Sequence, residues 1–322
     1  MLNDTHYTEN IIDMKKMNIS FIDIDETIAV EILSSEINYS KLMSYTVLFE
    51  KYKKSSKCGQ FIELDFAQLY NLSKLDRYLR QLILIMALDI EQSLKVRFLN
   101  DYYSFNLSDI NPVEEFWMAN NDYLNERYRK ENFSSNIQPF ITRCEGELKS
   151  LPIEDFFEVI QFGTFQKFAQ FFYSSCCYET QNSKIYNLFS KQLNGILVLR
   201  NIAAHNNPLL PFLIEPYLLS TAPYRDYSTL SFLGSKGIKN RTLNTNMKKP
   251  LIHDFLMMLH VAYKILPDYQ FDNILSLIYV FLMDYCKSYM ADYQNNLSLV
   301  SAYRFIHSTY QIYKKLGKHL TN

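Results

Sequence analysis

Glycine and proline are scarce in this chain, 7 and 9 among 322 residues. A protein of many short strands needs a turn about every ten residues, with Gly or Pro at many of them. The scarcity therefore excludes a β-sandwich or barrel and favours long helices with few connections. An excess of positive charge is also missing: 33 Lys and Arg stand against 34 Asp and Glu, a net charge of −1. General electrostatic attraction to nucleic acid is thereby excluded, and any contact with RNA must be local. No long apolar run exists. The longest, Leu82–Leu88, is bounded by Arg80, Asp89 and Glu91, far short of the roughly 20 residues that span a bilayer. The N-terminal MLNDTHYTENIID has no apolar stretch of the kind a secretory leader carries, so a cytoplasmic protein without membrane contact is expected. The five cysteines, Cys58, Cys144, Cys176, Cys177 and Cys286, are odd in number and show no C-x-x-C spacing. They read as reduced thiols, with adjacent Cys176 and Cys177 as buried small hydrophobes. No repeat of fixed period is visible.

What is present is enough for a packed core: 48% of residues are hydrophobic and 15% aromatic, so the aromatics read as core. Residues 8–18 predict a first short helix. Asp23 or Asp25 caps a second, in which Ile28, Ile32 and Leu33 recur at helical spacing. A third begins near Asn38, with Leu42, Tyr45, Leu48 and Phe49 on one side. Residues 51–60 form a basic, polar loop. The strongest helical signal runs over 65–103, where Leu75, Leu79, Leu82, Ile83, Met86 and Ile90 form an apolar stripe that no Gly or Pro interrupts. Further helices are predicted over 113–131, after Pro152, after a break at Gly163, over 183–206, and over about 250–265, 270–290 and 297–315. Between Asp226 and Asp254 there is no acid, but Lys236, Lys239, Arg241, Lys248 and Lys249 are present. That stretch reads as an irregular basic loop, suited to RNA phosphates. The expectation is an all-α protein, one compact domain over 1–322, with a core at about 65–215, N-terminal helices at 8–54 and C-terminal helices at 250–315.

The helix over 183–206 carries the candidate chemistry. Leu193, Ile196, Leu197, Leu199, Ile202, Ala203 and Ala204 leave it few polar faces, so it should be largely buried. Arg200 interrupts it, and a buried guanidinium must be paired or line a cavity. Glu91, or a polar neighbour on the 75–103 helix, is the expected partner, which also gives Arg200 a purely structural reading. Asn201 and His205 are four apart and share a face. Asn206, Asn207 and Pro208 end the helix, placing His205 in the last turn, where the carbonyl end favours imidazolium. His253 and His260 lie seven apart, with no carboxylate or thiol pattern to complete a zinc site, and read as structural.

The segment LRNIAAHN (199–206) resembles the Arg-Asn-x-x-x-His signature of HEPN ribonucleases as it occurs in Abi (abortive infection) proteins. INYSKLMSYTVLF (37–49) is similar to that family's Asn-Tyr-x-x-Leu-x-x-Tyr helix. DRYLRQLILIMALDIEQSLKVRF (76–98) is similar to its second signature, with Glu91, Lys95 and Arg97 in the pattern. LPIEDFFEVIQFGTFQKFAQFF (151–172) resembles the segment before the motif helix. Two departures are Ile153, near where the family often has Trp, and Asn206–Asn207, where many relatives carry a second His.

The resemblance implies a HEPN-like helical bundle that forms a homodimer, joining two motifs in one composite site. It implies an endoribonuclease without metal or other cofactor, in which the substrate's 2′-hydroxyl attacks to leave a cyclic phosphate and a 5′-hydroxyl. His205 would move protons, Arg200 would stabilise charge on the phosphate, and Asn201 would orient His205 or hold the ribose. Glu91 and Lys95 would support the motif. The implied role is a toxin in phage defence, restrained by an RNA or protein antitoxin. Two other readings stay open: a non-catalytic HEPN protein that binds RNA or a nucleotide, and a helical partner-binding module.

Overall fold

The computed structural model describes residues 4–54, 56–104, 111–128, 137–143, 148–175, 181–214 and 227–317. The chain divides into two compact units, Met1–Ala87 with Val198–Asn322, and Leu88–Leu197. Both boundaries fall inside helical segments rather than in linkers. The architecture is all-α. The strands among the described residues are β1 (Ile19–Ser20) and β2 (Leu64–Asp65), a parallel pair in register Ile19↔Leu64.

The first unit begins with α1 (Asp4–Lys16), α2 (Glu26–Ser35) and α3 (Tyr39–Ser44). Asp25 caps α2 by accepting from the Ile28 amide at 3.0 Å, and Asn38 caps α3 by accepting from the Ser40 amide at 2.8 Å. Each satisfies a donor that the first helical turn leaves without an intrahelical partner. A short 3₁₀ turn, Tyr45–Leu48, follows α3 and buries Leu42, Tyr45 and Leu48. Helix α4 (Phe66–Ser104) spans the expected 65–103 segment, and Leu75, Leu79, Leu82, Ile83, Met86 and Ile90 are all buried.

The second unit contains the rest of α4, then α5 (Pro112–Ala119), α6 (Asn121–Arg127), α7 (Gln138–Arg143), α8 (Ile153–Val159), α9 (Phe162–Ser175) and most of α10 (Gln181–Ala204). Its centre is aromatic, as the composition suggested. Phe98, Phe116, Phe156, Phe168 and Phe172 are fully buried, and the Phe98 ring lies 4.7 Å from Phe172 and 5.3 Å from Phe168, in tilted contacts of the kind aromatic quadrupoles favour. The single helix expected over 113–131 is two, because the Asn120 side chain donates to the Phe116 carbonyl at 3.0 Å and so competes with helix continuation. Gly163 does not break the chain; the break falls at Ile160–Gln161, and Gly163 sits in the first turn of α9. A Cβ there would lie 3.2 Å from Leu197 Cδ2 on α10, so close helix packing, not a turn, is what the glycine provides.

The first unit resumes with α11 (Tyr227–Ser235), α12 (Asn240–Asn246), α13 (Pro250–Ile265), α14 (Asp268–Val280), α15 (Met290–Tyr293) and α16 (Leu297–Leu316). The basic loop expected over 236–249 is thus corrected: α12 occupies its middle, held by buried Leu243 and Asn246. Helix α13 is buried along nearly its whole length. His253 and His260 are core histidines, with Nδ1 of His253 2.8 Å from the Asp254 carboxylate and Nδ1 of His260 2.9 Å from the Tyr313 hydroxyl. Between α14 and α15, Phe281–Cys286 winds as a π-helix. Cys58 and Cys286 are free thiols, and Cys144, Cys176 and Cys177 lie outside the described residues. No helix among the described residues is long and apolar enough to cross a membrane.

Candidate functional site

Helix α10 is not buried all round. Leu193, Ile196, Leu199 and Ala203 face the core, while Val198 is 39% exposed and Ala204 is open to solvent. Arg200 and Asn201 are half-buried and His205 is exposed. This corrects the expectation of a buried guanidinium. With water available, Arg200 does not need a carboxylate, and its Nη1 donates to Asn201 Oδ1 at 3.2 Å. The motif therefore presents a cation, an amide and an imidazole at an accessible helix end.

The local sequence fixes that end. The Asn206 amide donates to the Ala203 carbonyl and the Asn207 amide to the Ile202 carbonyl, both at 3.0 Å, and Asn206 has φ 54°. This is a Schellman C-cap with His205 at the cap position and Asn206 in the left-handed region. Asn tolerates that region better than other non-glycine residues, which gives the Asn-Asn-Pro sequence a physical reason. We expect Asn206→Gly to leave stability unchanged or slightly raised and Asn206→Val to lower it by about 1–2 kcal/mol, read from urea midpoints at constant slope.

Two further contacts hold the segment after His205. Lys41 Nζ donates to the Asn206 carbonyl at 2.9 Å. The Asp76 carboxylate, wholly enclosed, accepts from the Leu210 amide at 2.8 Å and the Leu209 amide at 3.1 Å. It also accepts from the Tyr45 hydroxyl at 3.0 Å and pairs with Arg80. Burial pushes the Asp76 carboxyl above the usual carboxylate range, against the pull of Arg80, the two amides and Tyr45. Burial and the neighbouring Asp76 likewise raise the Tyr45 hydroxyl, which stays a donor. Every buried lone pair of Asp76 thus meets a donor. Sequence reasoning quoted Asp76 and Tyr45 only as members of helical blocks and missed this clamp. The available signal was a carboxylate at the start of an apolar stripe, where an unpaired acid would be costly.

Glu91 and Lys95, in the second unit, form an ion pair at 2.9 Å, and Lys95 also donates to the Phe157 carbonyl at 2.8 Å. Lys236, Lys239, Arg241 and Lys248 are exposed around α12. Lys249 is half-buried, and burial lowers its ammonium pKa, so it is the poorest of the five for phosphate contact. Among the described residues there is no cluster of three or more His, Cys, Asp or Glu side chains placed to hold a metal ion.

The fold and site define an all-helical protein whose polar motif sits at a capped helix end, clamped by a buried carboxylate on another helix. The family model for Abi-like proteins matches residues 31–210, more than half of the chain and inclusive of α3, the clamp and the motif. The chain belongs to the Abi-like family. Comparison with curated proteins and with solved structures gives no match.

Proposed function

We propose that this chain is a metal-independent endoribonuclease of the HEPN type, acting as a toxin in abortive infection. Membership of the Abi-like family points to phage defence; the observation that carries the catalytic reading is the accessible Arg200–Asn201–His205 end of α10, held by the Asp76 clamp. His205, at the C-cap, exchanges a proton with the substrate's 2′-hydroxyl or with the leaving 5′-oxygen. Arg200 stabilises the charge that develops on the phosphate, and Asn201 orients the guanidinium to which it is bonded. One chain supplies one imidazole, whereas the reaction needs a base and an acid. A homodimer with both His205 side chains near the axis supplies both. The exposed side of the helix end, with Val198, Ala204 and His205, supports that assembly, since an apolar residue lies beside the motif. The direct test incubates the protein with total RNA in EDTA beside the Arg200→Ala/His205→Ala variant. Cleavage by the first and not the second supports the reading; intact RNA in both contradicts it.

Lys236, Lys239, Arg241 and Lys248 bind the RNA backbone in this account. Changing Lys239 and Arg241 to Gln is expected to weaken binding to single-stranded RNA and to reduce the slope of log K against log salt by about 0.7 for each lost phosphate contact, with the cleavage step unchanged. An unchanged salt slope would remove this face from the RNA path.

A further inference from the structure

Helix α16 is one-sided in charge. It contains Arg304, His307, Lys314 and Lys315 and no carboxylate, in a chain whose net charge is −1. A solvated helix face normally mixes both signs. The dipole accounts for Lys314 and Lys315, which sit in the last turn, but not for Arg304 in mid-helix. All three are exposed, and none forms an ion pair with a carboxylate of the described residues. The rings divide too. Phe305, Tyr310 and Tyr313 are buried, whereas Tyr303 and His307 are only partly covered and lie one turn apart on the outer side. Their planes are within 24° of parallel, with centroids 6.1 Å apart. Gln311 Nε2, 3.3 Å from His307 Nε2, fixes the imidazole. Tyr279 of α14, 46% exposed, extends the row: its ring lies 6.2 Å from Tyr310, and Lys314 Nζ is 5.8 Å from its centre. Helix α12, with exposed Arg241, packs along α16, where the Ser301 hydroxyl donates to Asn246 Oδ1 at 3.5 Å.

We propose that the outer face of α16, with Tyr279 beside it, binds single-stranded RNA, stacking bases on Tyr303, His307 and Tyr279 and holding phosphates with Arg304 and Lys314. Cations interleaved with open rings are what a single strand requires, since its bases are free to stack and its backbone is anionic. A protein of near-zero net charge can attract an anionic strand only through such a local patch. The face also continues the basic surface of α12. Stacking is tolerant of sequence, because every base has a π-face, so this face sets affinity for unpaired strands and leaves the choice of bond to the motif. The inference rests on the reading of the chain as a protein that acts on RNA and names the surface that grips the strand.

The test uses the full chain and two probes: a short single-stranded 2′-deoxy oligonucleotide, which the ribonuclease reading leaves uncut, and an abasic strand of the same length, which keeps the phosphates and lacks the rings. The natural chain should bind the base-bearing strand more tightly. Tyr303→Leu/His307→Leu should weaken binding of that strand by about fivefold or more and leave the abasic strand unchanged. Tyr303→Phe/His307→Phe, which keeps two rings, should bind like the natural chain. Arg304→Gln should weaken both strands and reduce the slope of log K against log salt by about 0.7. Should the Leu variant fail to fold, photo-cross-linking of the natural chain to a strand carrying 5-iodouracil gives an independent reading. Cross-linked peptides from α16 are expected, and cross-links confined to other segments would overturn the proposal. Equal binding of both strands, which marks a plain anion site, would also overturn it. So would equal losses on both strands in the Leu variant, or no binding of either, which leaves the face to a protein partner. Base-dependent binding through this face, with RNA left intact in EDTA, would sink only the ribonuclease reading. RNA cut equally well at limiting concentration by the natural chain and the Leu variant would sink only this one.

Discussion

His205→Ala is expected to reduce RNA cleavage by at least about 10²-fold, the usual contribution of a positioned acid–base group, while leaving stability within about 0.5 kcal/mol of the natural chain. The separation follows from geometry. The imidazole is exposed, whereas the helix end is fixed by backbone bonds from Asn206 and Asn207 and by Lys41 on the Asn206 carbonyl; none of these uses the ring. Arg200→Ala should give a loss of about 10²–10³-fold with a small loss of stability, since the side chain is half-buried and its partner is the adjacent Asn201. Single-turnover cleavage and urea midpoints on the same samples check both. Full cleavage by His205→Ala would remove the imidazole from the mechanism.

Asp76→Ala should lower stability by about 3–5 kcal/mol, the range for breaking a buried pair by removing one partner. Arg80, with only 11% of its side chain exposed, would lose its carboxylate, and the Leu209 and Leu210 amides would lose their acceptor. A domain is usually stable by only about 5–15 kcal/mol, so the expected loss is a large share of the total. Asp76→Asn keeps the shape and one acceptor oxygen but turns an amino group towards backbone donors, and is expected to fall between. The measurement is the urea midpoint of each variant, with exchange at 205–213 as the local readout. A loss under about 1 kcal/mol for Asp76→Ala would mean that the clamp contributes little.

Local signals in the sequence held up best. The stripe in α4 spans more than four turns without Gly or Pro, and the caps at Asp25 and Asn38 follow from side chains that reach their own helix. The Asn-Asn-Pro stop after the motif was equally readable, because Schellman geometry depends on a few adjacent residues. The clamp was not, since Asp76 and its Leu209 partner are 133 positions apart and no spacing rule reports such a pair. Helix α12 was hidden because only Leu243 and Asn246 anchor it among polar residues, too short a pattern for periodicity. The π-helical turn was invisible too: the sequence predicts one helix over 270–290, and no spacing rule marks where α14 gives way to wider winding at Phe281. The burial of Arg200 was overestimated because seven apolar residues around it suggested an enclosed helix. In the fold, Val198 and Ala204 lie on the exposed side.

The measurement closest to the central claim uses a single-stranded RNA whose cleavage site has been mapped, synthesised again with one 2′-deoxy nucleotide at that site and incubated with the protein in EDTA. The account predicts that the all-ribose strand is cut to a cyclic phosphate and a 5′-hydroxyl, and that the deoxy-substituted strand binds but stays intact at that position, because the nucleophile is missing. Cutting of the deoxy strand at the same place, or cleavage that disappears in EDTA and returns with magnesium, would contradict it.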